Sequence, residues 1–263
     1  MGIPSHLPDT RANLFGKTAI VTGGSRGIGA GIALELANRG AKVVIIYTSS
    51  KSEDTANSLI KRINTLGNGA AAMKIKADLC EASAPRHIVQ EALPFVNGKI
   101  DIVVNNAGVN CMKSITEITP EVYASVFDLH VRAPILMMTE VLPYLRSPGR
   151  IVNMSSIAGR GIFQELSLYC SSKAALEGLT RAWATELGPK GHTVNAVSPG
   201  LIQTDMLSGL AEDYFDAAKA QTPMGNRIGT VDDVAQIVAW LASEESRWVT
   251  GQVLSASGGC AMY

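Results

Sequence analysis

Tyr169 and Lys173 stand four residues apart in a helical pattern, so the phenol and the amine share one face. An ordinary tyrosine gives up its proton near ~10 and is a poor acid or base at neutral pH. A neighbouring ammonium favours the phenolate and brings that proton into use. Tyr-x-x-x-Lys alone also arises by chance on helices, so the pair needs company. Upstream, Asn153-Met154-Ser155-Ser156 closes a short apolar run, where a hydroxyl can point out beyond a strand end.

A second pattern concerns phosphate. The run Thr18-Ala19-Ile20-Val21 passes straight into Thr22-Gly23-Gly24-Ser25-Arg26-Gly27-Ile28-Gly29, and a helical pattern follows. Glycines let a backbone turn tightly against a pyrophosphate, and a helix N-terminus offers unpaired N–H groups and a positive dipole end. The spacing is G-x-x-x-G-x-G, not the G-x-G-x-x-G dinucleotide fingerprint, and the plainer alternative is a tight connection with glycines for packing alone. NAD-specific sites place an acid at the second strand's end, roughly 20 residues past the glycines. Here that strand ends in Tyr47-Thr48-Ser49-Ser50-Lys51, with no acid before Glu53. Arg26 and Lys51 could meet a 2′-phosphate, with Thr48, Ser49 and Ser50 as donors; otherwise both cations are solvated surface. The expected cofactor is NADP(H).

The elements that must position these groups alternate along the chain. Short apolar runs at 18–21, 42–46, 71–75, 100–104, 151–154, 193–197 and 252–255 read as strands, several of them continuously apolar, as in a parallel sheet covered on both faces. Helical patterns separate them at 28–38, 53–65, 84–96, 120–145, 169–188 and 231–243, with Gly40 and Gly67 as stops. The expectation is one α/β domain of Rossmann type, a doubly wound seven-stranded parallel sheet over residues 16–263, after an N-terminal extension of residues 1–15. Residues 201–222, with an amphipathic stretch at 207–221, form an insertion placed to cover a site.

Composition narrows the class further. The 263 residues are 46% hydrophobic, with 23 Lys+Arg against 23 Asp+Glu, too apolar and too weakly charged for a disordered chain. Zero net charge argues against a general nucleic-acid binder, and no apolar run approaches the roughly 20 residues that span a bilayer. The start shows no secretory signal, and His6 stands where a myristoylation motif needs Ser or Thr. Cys260-Ala261-Met262-Tyr263 outlines a prenylation box, but it ends in Tyr and follows no polybasic stretch. Cys80, Cys111, Cys170 and Cys260 form no C-x-x-C pair, so no metal site or disulfide framework is expected, and a cytoplasmic setting is.

Together these residues resemble the short-chain dehydrogenase/reductase family over nearly the whole chain. The matching pieces are the Thr22–Gly29 turn, Asn105-Asn106-Ala107-Gly108, Ser156, Tyr169-x-x-x-Lys173, and Ser198-Pro199-Gly200 followed by Thr204. The resemblance implies that Tyr169 protonates a carbonyl oxygen as hydride arrives, that Ser156 hydrogen-bonds that oxygen, and that Lys173 holds the nicotinamide ribose and lowers the Tyr169 pKa. It implies cofactor contacts from Gly23, Ser25, Arg26, Gly27, Ile28, Gly29, Tyr47, Thr48, Ser49 and Ser50. Asp78 and Leu79 carry over as the adenine pocket, and Asn105, Ala107 and Gly108 as the wall beside the cofactor. Pro199, Gly200, Ile202 and Thr204 carry over to the carboxamide and phosphates. Ser155 is a structural neighbour, its plain alternative being a hydroxyl bonded to backbone, and Thr18 has no role.

One position departs from the family. An Asn that kinks a helix and anchors a water of the proton relay is replaced by His130, within Phe127-Asp128-Leu129-His130-Val131-Arg132-Ala133. Imidazole can donate and accept like an amide, but it is larger and can take a charge near neutral pH. His130 replaces the Asn in the relay, sits as a satisfied core histidine, or marks lost redox activity. The expectation is the first, with a pH profile that His130 shapes.

The C-terminal stretch, from Trp248 to Tyr263, resembles fungal NADPH-dependent ketone reductases, including those acting on polyhydroxynaphthalenes, and 3-oxoacyl-carrier-protein reductase-like members. Ile162, Phe163, Leu166, Leu201, Met206, Leu207, Leu210, Tyr214 and Phe215, with Arg160, Gln164 and Glu165, make an inventory for a largely apolar, cyclic or polyketide-derived ketone. Half of them could equally be core. Cys170 reads as a small packed hydrophobe rather than a redox switch. Ile135, Leu136, Met137, Met138, Leu176 and Trp183 put apolar groups on more than one helix face, and the family pairs such helices between subunits; a homotetramer is expected ahead of a dimer. The activity implied is NADPH-dependent ketone reduction. Its rival is an NADP(H)-binding scaffold or non-redox cyclase with weak or lost redox turnover.

Overall fold

Alternate residues of each strand face opposite sides of the sheet, and both sides are apolar. Ala19, Val21, Val43, Ile45, Ile102, Val104, Val152 and Val197 enter one core, while Ile20, Val44, Ile46, Ile75, Val103, Ile151 and Val194 enter the other. That pattern permits one arrangement, a sheet covered by helices on both faces.

The computed structural model describes residues 13–161, 163–207 and 212–263. Seven strands run parallel: β1 (Thr18–Val21), β2 (Lys42–Tyr47), β3 (Ala71–Lys76), β4 (Ile100–Asn105), β5 (Leu145–Met154), β6 (Thr193–Pro199) and β7 (Val253–Ala256). Their order in space is β3-β2-β1-β4-β5-β6-β7, so the chain reverses direction across the sheet between β1 and β4. Ligand crevices open outside the carboxyl ends of strands at such a switch. Helices α1 (Gly27–Asn38) and α8 (Val231–Leu241) pack on one face, while α3 (Ala84–Phe95) and α5 (Ala133–Val141) cover the other. Also present are α2 (Glu53–Asn64), α4 (Pro120–Phe127), α6 (Ser167–Leu187) and α7 (Glu212–Ala220). The α1–α8 contact is close. A Cβ on Gly31 would stand 2.0 Å from Val231 Cγ1.

The expected helix over 120–145 is in fact four pieces. After α4 comes a π-helical turn, Asp128–Arg132, then α5, a 3-10 turn at Leu142–Tyr144, and Leu145 already in β5. Pro134 has no N–H to continue an α ladder, and the ladder widens so that Ala133 N bonds Asp128 O. The wider turn carries His130, which is buried. β5 begins at Leu145, well before the expected run at 151–154; the other boundaries agree with the expected elements to within a few residues, and residues 212–220 form α7 within the stretch read as an insertion. Of the N-terminal extension, residues 1–12 lie outside the described part, Gly2 and His6 among them. Leu14 already belongs to the core.

Thr18 has a role that the sequence reading missed. Asp101 of β4 is almost fully buried and accepts from the Thr18 backbone N–H at 2.9 Å, while Lys17 and Arg146 approach at 3.7 and 3.4 Å. This brace ties β1 to β4 at the foot of the switch point. Asp101→Ala orphans a buried N–H and removes the carboxylate between two cations, so stability should fall by ~3 kcal/mol in urea unfolding. An unchanged midpoint would contradict the brace.

Candidate active site

A cavity of about 770 Å³ opens at the carboxyl ends of the strands, beside the β1–β4 switch. Its floor is the glycine turn: Gly23, Ser25, Arg26, Gly27, Ile28 and Gly29 all line it. Gly23 and Gly27 have φ of +62° and +53°, the left-handed region that glycine tolerates. A Cβ on Gly29 would stand 2.2 Å from Gly23 O, so the helix starts hard against the turn. Arg26 caps α1 in extended geometry with no side-chain cap, which leaves the first N–H groups of the helix for a ligand. The cradle fits a pyrophosphate.

Most residues expected to meet a dinucleotide converge here. Tyr47, Thr48, Ser49, Asp78, Leu79, Ala107, Gly108, Pro199 and Thr204 line the same cavity. Others lie off its wall. Ser50 instead accepts from Lys76 Nζ at 2.8 Å, and Lys51 is exposed away from the cavity. Gly200 packs under Ser257, where a Cβ would be 3.1 Å from its Cα, and Ile202 is buried in a bridge to Gly229. Asn105 turns inward and donates to Asn153 Oδ1 at 2.8 Å. Its neighbour Asn106 lines the cavity instead, donating to Thr22 O at 2.8 Å and Gly23 O at 3.1 Å. The register that sets Asn105 opposite Asn153 was the available signal, since strand alternation then sends Asn106 the other way. Arg26 stands at the mouth, its guanidinium 3.9 Å from Asp205.

At the inner end stand Tyr169, Lys173 and His130, with Ser156 facing the phenol. Ser156 caps a 3-10 turn, Ile157–Gly159, with its hydroxyl accepting from Ala158 N at 3.2 Å. Burial holds the Tyr169 phenol above its ordinary pKa, partly offset by the Ser156 hydroxyl. This reverses the expected lowering by Lys173. Burial outweighs the ammonium, which donates to Met154 O at 2.9 Å and lies 5.7 Å from the centre of the Tyr169 ring. Burial pushes Lys173 itself down to about 8. Cys170 is partly buried and its thiol is pushed up by that burial, which suits packing better than reactivity.

His130 is fully engaged. Val109 N donates to Nε2 at 3.0 Å, so that nitrogen carries the lone pair. Ser172 gives its own proton to Tyr169 O at 2.7 Å, so its oxygen accepts from Nδ1–H at 2.8 Å. Burial and the nearby Lys173 push the imidazole down to about 2. The expected charge near neutral pH is therefore absent, because an imidazolium would be desolvated beside an ammonium and would lose its bond from Val109. Gly108 makes room for this ring: a Cβ there would stand 3.0 Å from Nε2 and 3.6 Å from Lys173 Nζ.

Of the expected substrate groups, Met206 lines the cavity; Phe163, Tyr214, Gln164 and Glu165 are exposed, and Arg160, Leu166, Leu201, Leu207 and Phe215 are exposed or half-buried. Ile162 and Leu210 lie outside the described residues. Among the described residues no cluster suits a metal ion, and no helix is long and apolar enough to cross a membrane.

Known proteins are similar to this chain in sequence and fold. The family profile described as enoyl-(acyl carrier protein) reductase matches residues 23–261. The short-chain dehydrogenase/reductase FrzI of Cladobotryum sp is 43% identical over 94% of this chain and 96% of its own. The chain belongs to the short-chain dehydrogenases/reductases. It is thus one of a family of oxidoreductases acting between alcohols and carbonyls. The hydroxynaphthalene reductase-like protein Arp2 of Metarhizium robertsii is 42% identical over 95% of this chain and 97% of its own. A blue fluorescent protein from a metagenomic library, crystallised with NADPH, superposes with a TM-score of 0.88 at 37% identity, over 95% of this chain and all of that one.

Two outcomes follow for the buried pair. His130 ring resonances should not titrate between about pH 5 and 8 in NMR, and a midpoint within that range would contradict the hydrogen-bond pattern. Lys173 has a folded pKa below its unfolded one, so the unfolded chain binds the proton more strongly. The cost of burying its charge is full below about 8 and fades as pH rises toward the ordinary lysine value. Lys173→Met should therefore unfold several degrees later at neutral pH in a thermal melt, and an earlier melt would refute that cost.

Proposed function

We propose that this enzyme is an NADPH-dependent ketone reductase acting on a largely apolar, cyclic or polyketide-derived substrate. The observation that carries this reading is the contact of the Ser156 hydroxyl with the Tyr169 phenol, which with Lys173 lines a cavity floored by glycines; Ser155 rather than Ser156 lies on the cavity wall. The likeness to a hydroxynaphthalene reductase-like protein supports the substrate class, as does Met206 on the cavity wall with Phe163 and Tyr214 exposed in the adjoining segments. NADP(H) is favoured because Tyr47, Thr48 and Ser49 put no acid at the ribose end, because Arg26 stands at the mouth, and because a close structural neighbour binds NADPH.

When bound, the dinucleotide supplies hydride. The chain's own residues do the rest. Gly23 to Gly29 and the start of α1 would hold the phosphates, and Asp78 and Leu79 would flank the adenine. The Tyr169 phenol, kept protonated by burial, gives its proton to the carbonyl oxygen. Ser156 donates to the same oxygen and orients the carbonyl. Lys173, charged below about 8, would hold the ribose hydroxyls. His130 stays neutral and fixes the Val109 backbone and α6 beside them, a positioning part rather than a relay member. With both ring nitrogens used, it gives the idea of a redox-silent scaffold no support.

The unpaired cysteines suit a reducing, cytoplasmic setting. Met137, Met138 and Leu176 are spent on the core, but Tyr123 and Ile135 remain exposed on α4 and α5, and Leu142 and Tyr144 just beyond. We read this surface as a subunit contact of a homotetramer. Sedimentation at micromolar concentration should give an oligomer, and a purely monomeric mass would refute the contact.

For the activity, NADPH consumption with a panel of quinones, cyclic diketones and naphthols should find substrates. Tyr169→Phe should slow reduction by ~10²-fold or more, and NADPH should bind more tightly than NADH. Full-speed reduction by the Phe variant, or tighter NADH binding, would overturn the assignment.

A further inference from the structure

Tyr169, Lys173 and a third residue, Glu177, follow at i, i+4 and i+8 on one face of α6. Glu177 is 3% exposed, and the chemistry described above does not use it. A buried carboxylate is retained only where partners hold it. Its two oxygens grip the two sides of one short turn. Ser155 Oγ donates to Oε1 at 2.8 Å, and Arg160 Nε donates to Oε2 at 2.7 Å. Between those residues, a Cβ on Gly159 would stand 2.9 Å from Oε1, so the turn lies directly on the carboxylate. Ser156 is the N-cap of this turn, fixed before and after by groups bound to one side chain.

The grip continues outward. The Arg160 guanidinium lies 4.7 Å from the centre of the Tyr263 ring, and the Tyr263 hydroxyl is 3.0 Å from Ser198 Oγ, beside the cavity-lining Pro199. Ser155 is thus bonded to a carboxylate, not merely to backbone. The residues stretch across α6, the turn after β5, the end of β6 and the C-terminus.

We infer that Glu177 is a positioning residue for Ser156, clamping the serine's turn so that its hydroxyl stays aimed at the substrate oxygen, with Arg160 and Tyr263 bracing the clamp. The inference rests on the role of Ser156 proposed above. Glu177→Gln keeps the size of the side chain but turns an amide toward Arg160 and loosens that side. Misplacing a hydrogen-bonding group by a fraction of an ångström costs about tenfold or more in turnover.

The test compares Glu177→Gln, Ser156→Ala and the double variant for kcat, KM and NADPH affinity on a ketone found with the panel. Glu177→Gln should lower kcat about tenfold, leave NADPH affinity unchanged, and add nothing in the Ser156→Ala background. Losses that multiply in the double variant, or a Glu177→Gln enzyme as fast as the parent while Ser156→Ala is slow, overturn the clamp alone. A Ser156→Ala enzyme at full speed overturns the serine's role and the clamp with it. If Glu177→Gln does not fold, Arg160→Met and Tyr263→Ala take its place. Each should lower kcat with NADPH affinity intact, and parental kcat in both refutes the inference.

Discussion

Everything in this molecule hangs on the seam between β1 and β4, where parallel neighbours meet although the chain builds them far apart. Sheet hydrogen bonds alone would join them, but the upper end of the seam has to open. Thr22 and Asn106 manage the opening. Thr22 N donates to Val104 O at 3.0 Å, and its hydroxyl oxygen accepts from Asn106 N and Ala107 N at 2.9 and 3.0 Å. Asn106 returns the bond through its side-chain amide to Thr22 O. The strands therefore part with their last polar groups satisfied, and the gap becomes a crevice rather than a defect. Gly23 can turn away because that backbone is held.

The Tyr169 end of the cavity is built from buried polar groups, which is costly unless each is saturated. His130 is saturated as a neutral ring, between Val109 and Ser172. Lys173 has a single acceptor among the described residues, Met154 O, against the three donors of its ammonium. That contrast separates the two residues: one closes a structural circuit, and the other stores unsatisfied hydrogen-bonding capacity at the cavity's inner end. Burial alone accounts for the depressed lysine pKa.

Much of this was legible in the sequence, because periodicity and short spacings are local. Continuous apolar runs revealed the parallel sheet, the glycines at 23, 27 and 29 revealed the turn, and Tyr169 with Lys173 showed as an i, i+4 pair. What escaped depends on distant neighbours. Asn105 and Asn106 are indistinguishable until the register with Asn153 sends one inward. Lys51 stands out because it is adjacent in sequence, but Lys76 is the lysine that reaches Ser50, across the β2–β3 pairing. The π turn follows from Pro134, but its effect on His130 needs the packed helix. The tyrosine pKa was misjudged for the same reason: burial is a property of the fold.

The tight approach of α1 and α8 carries a consequence for modularity. The helix whose start lines the cavity is pressed at Gly31 against Val231, and Ile32 and Leu36 share a core with Val234, Val238 and Leu241. Much of the cavity wall comes from the early part of the chain, yet a segment from its last fifth props the helix that floors it. The cavity cannot be cut out and transplanted as the N-terminal half alone. The fold is a single casting, and its far end is part of the mould.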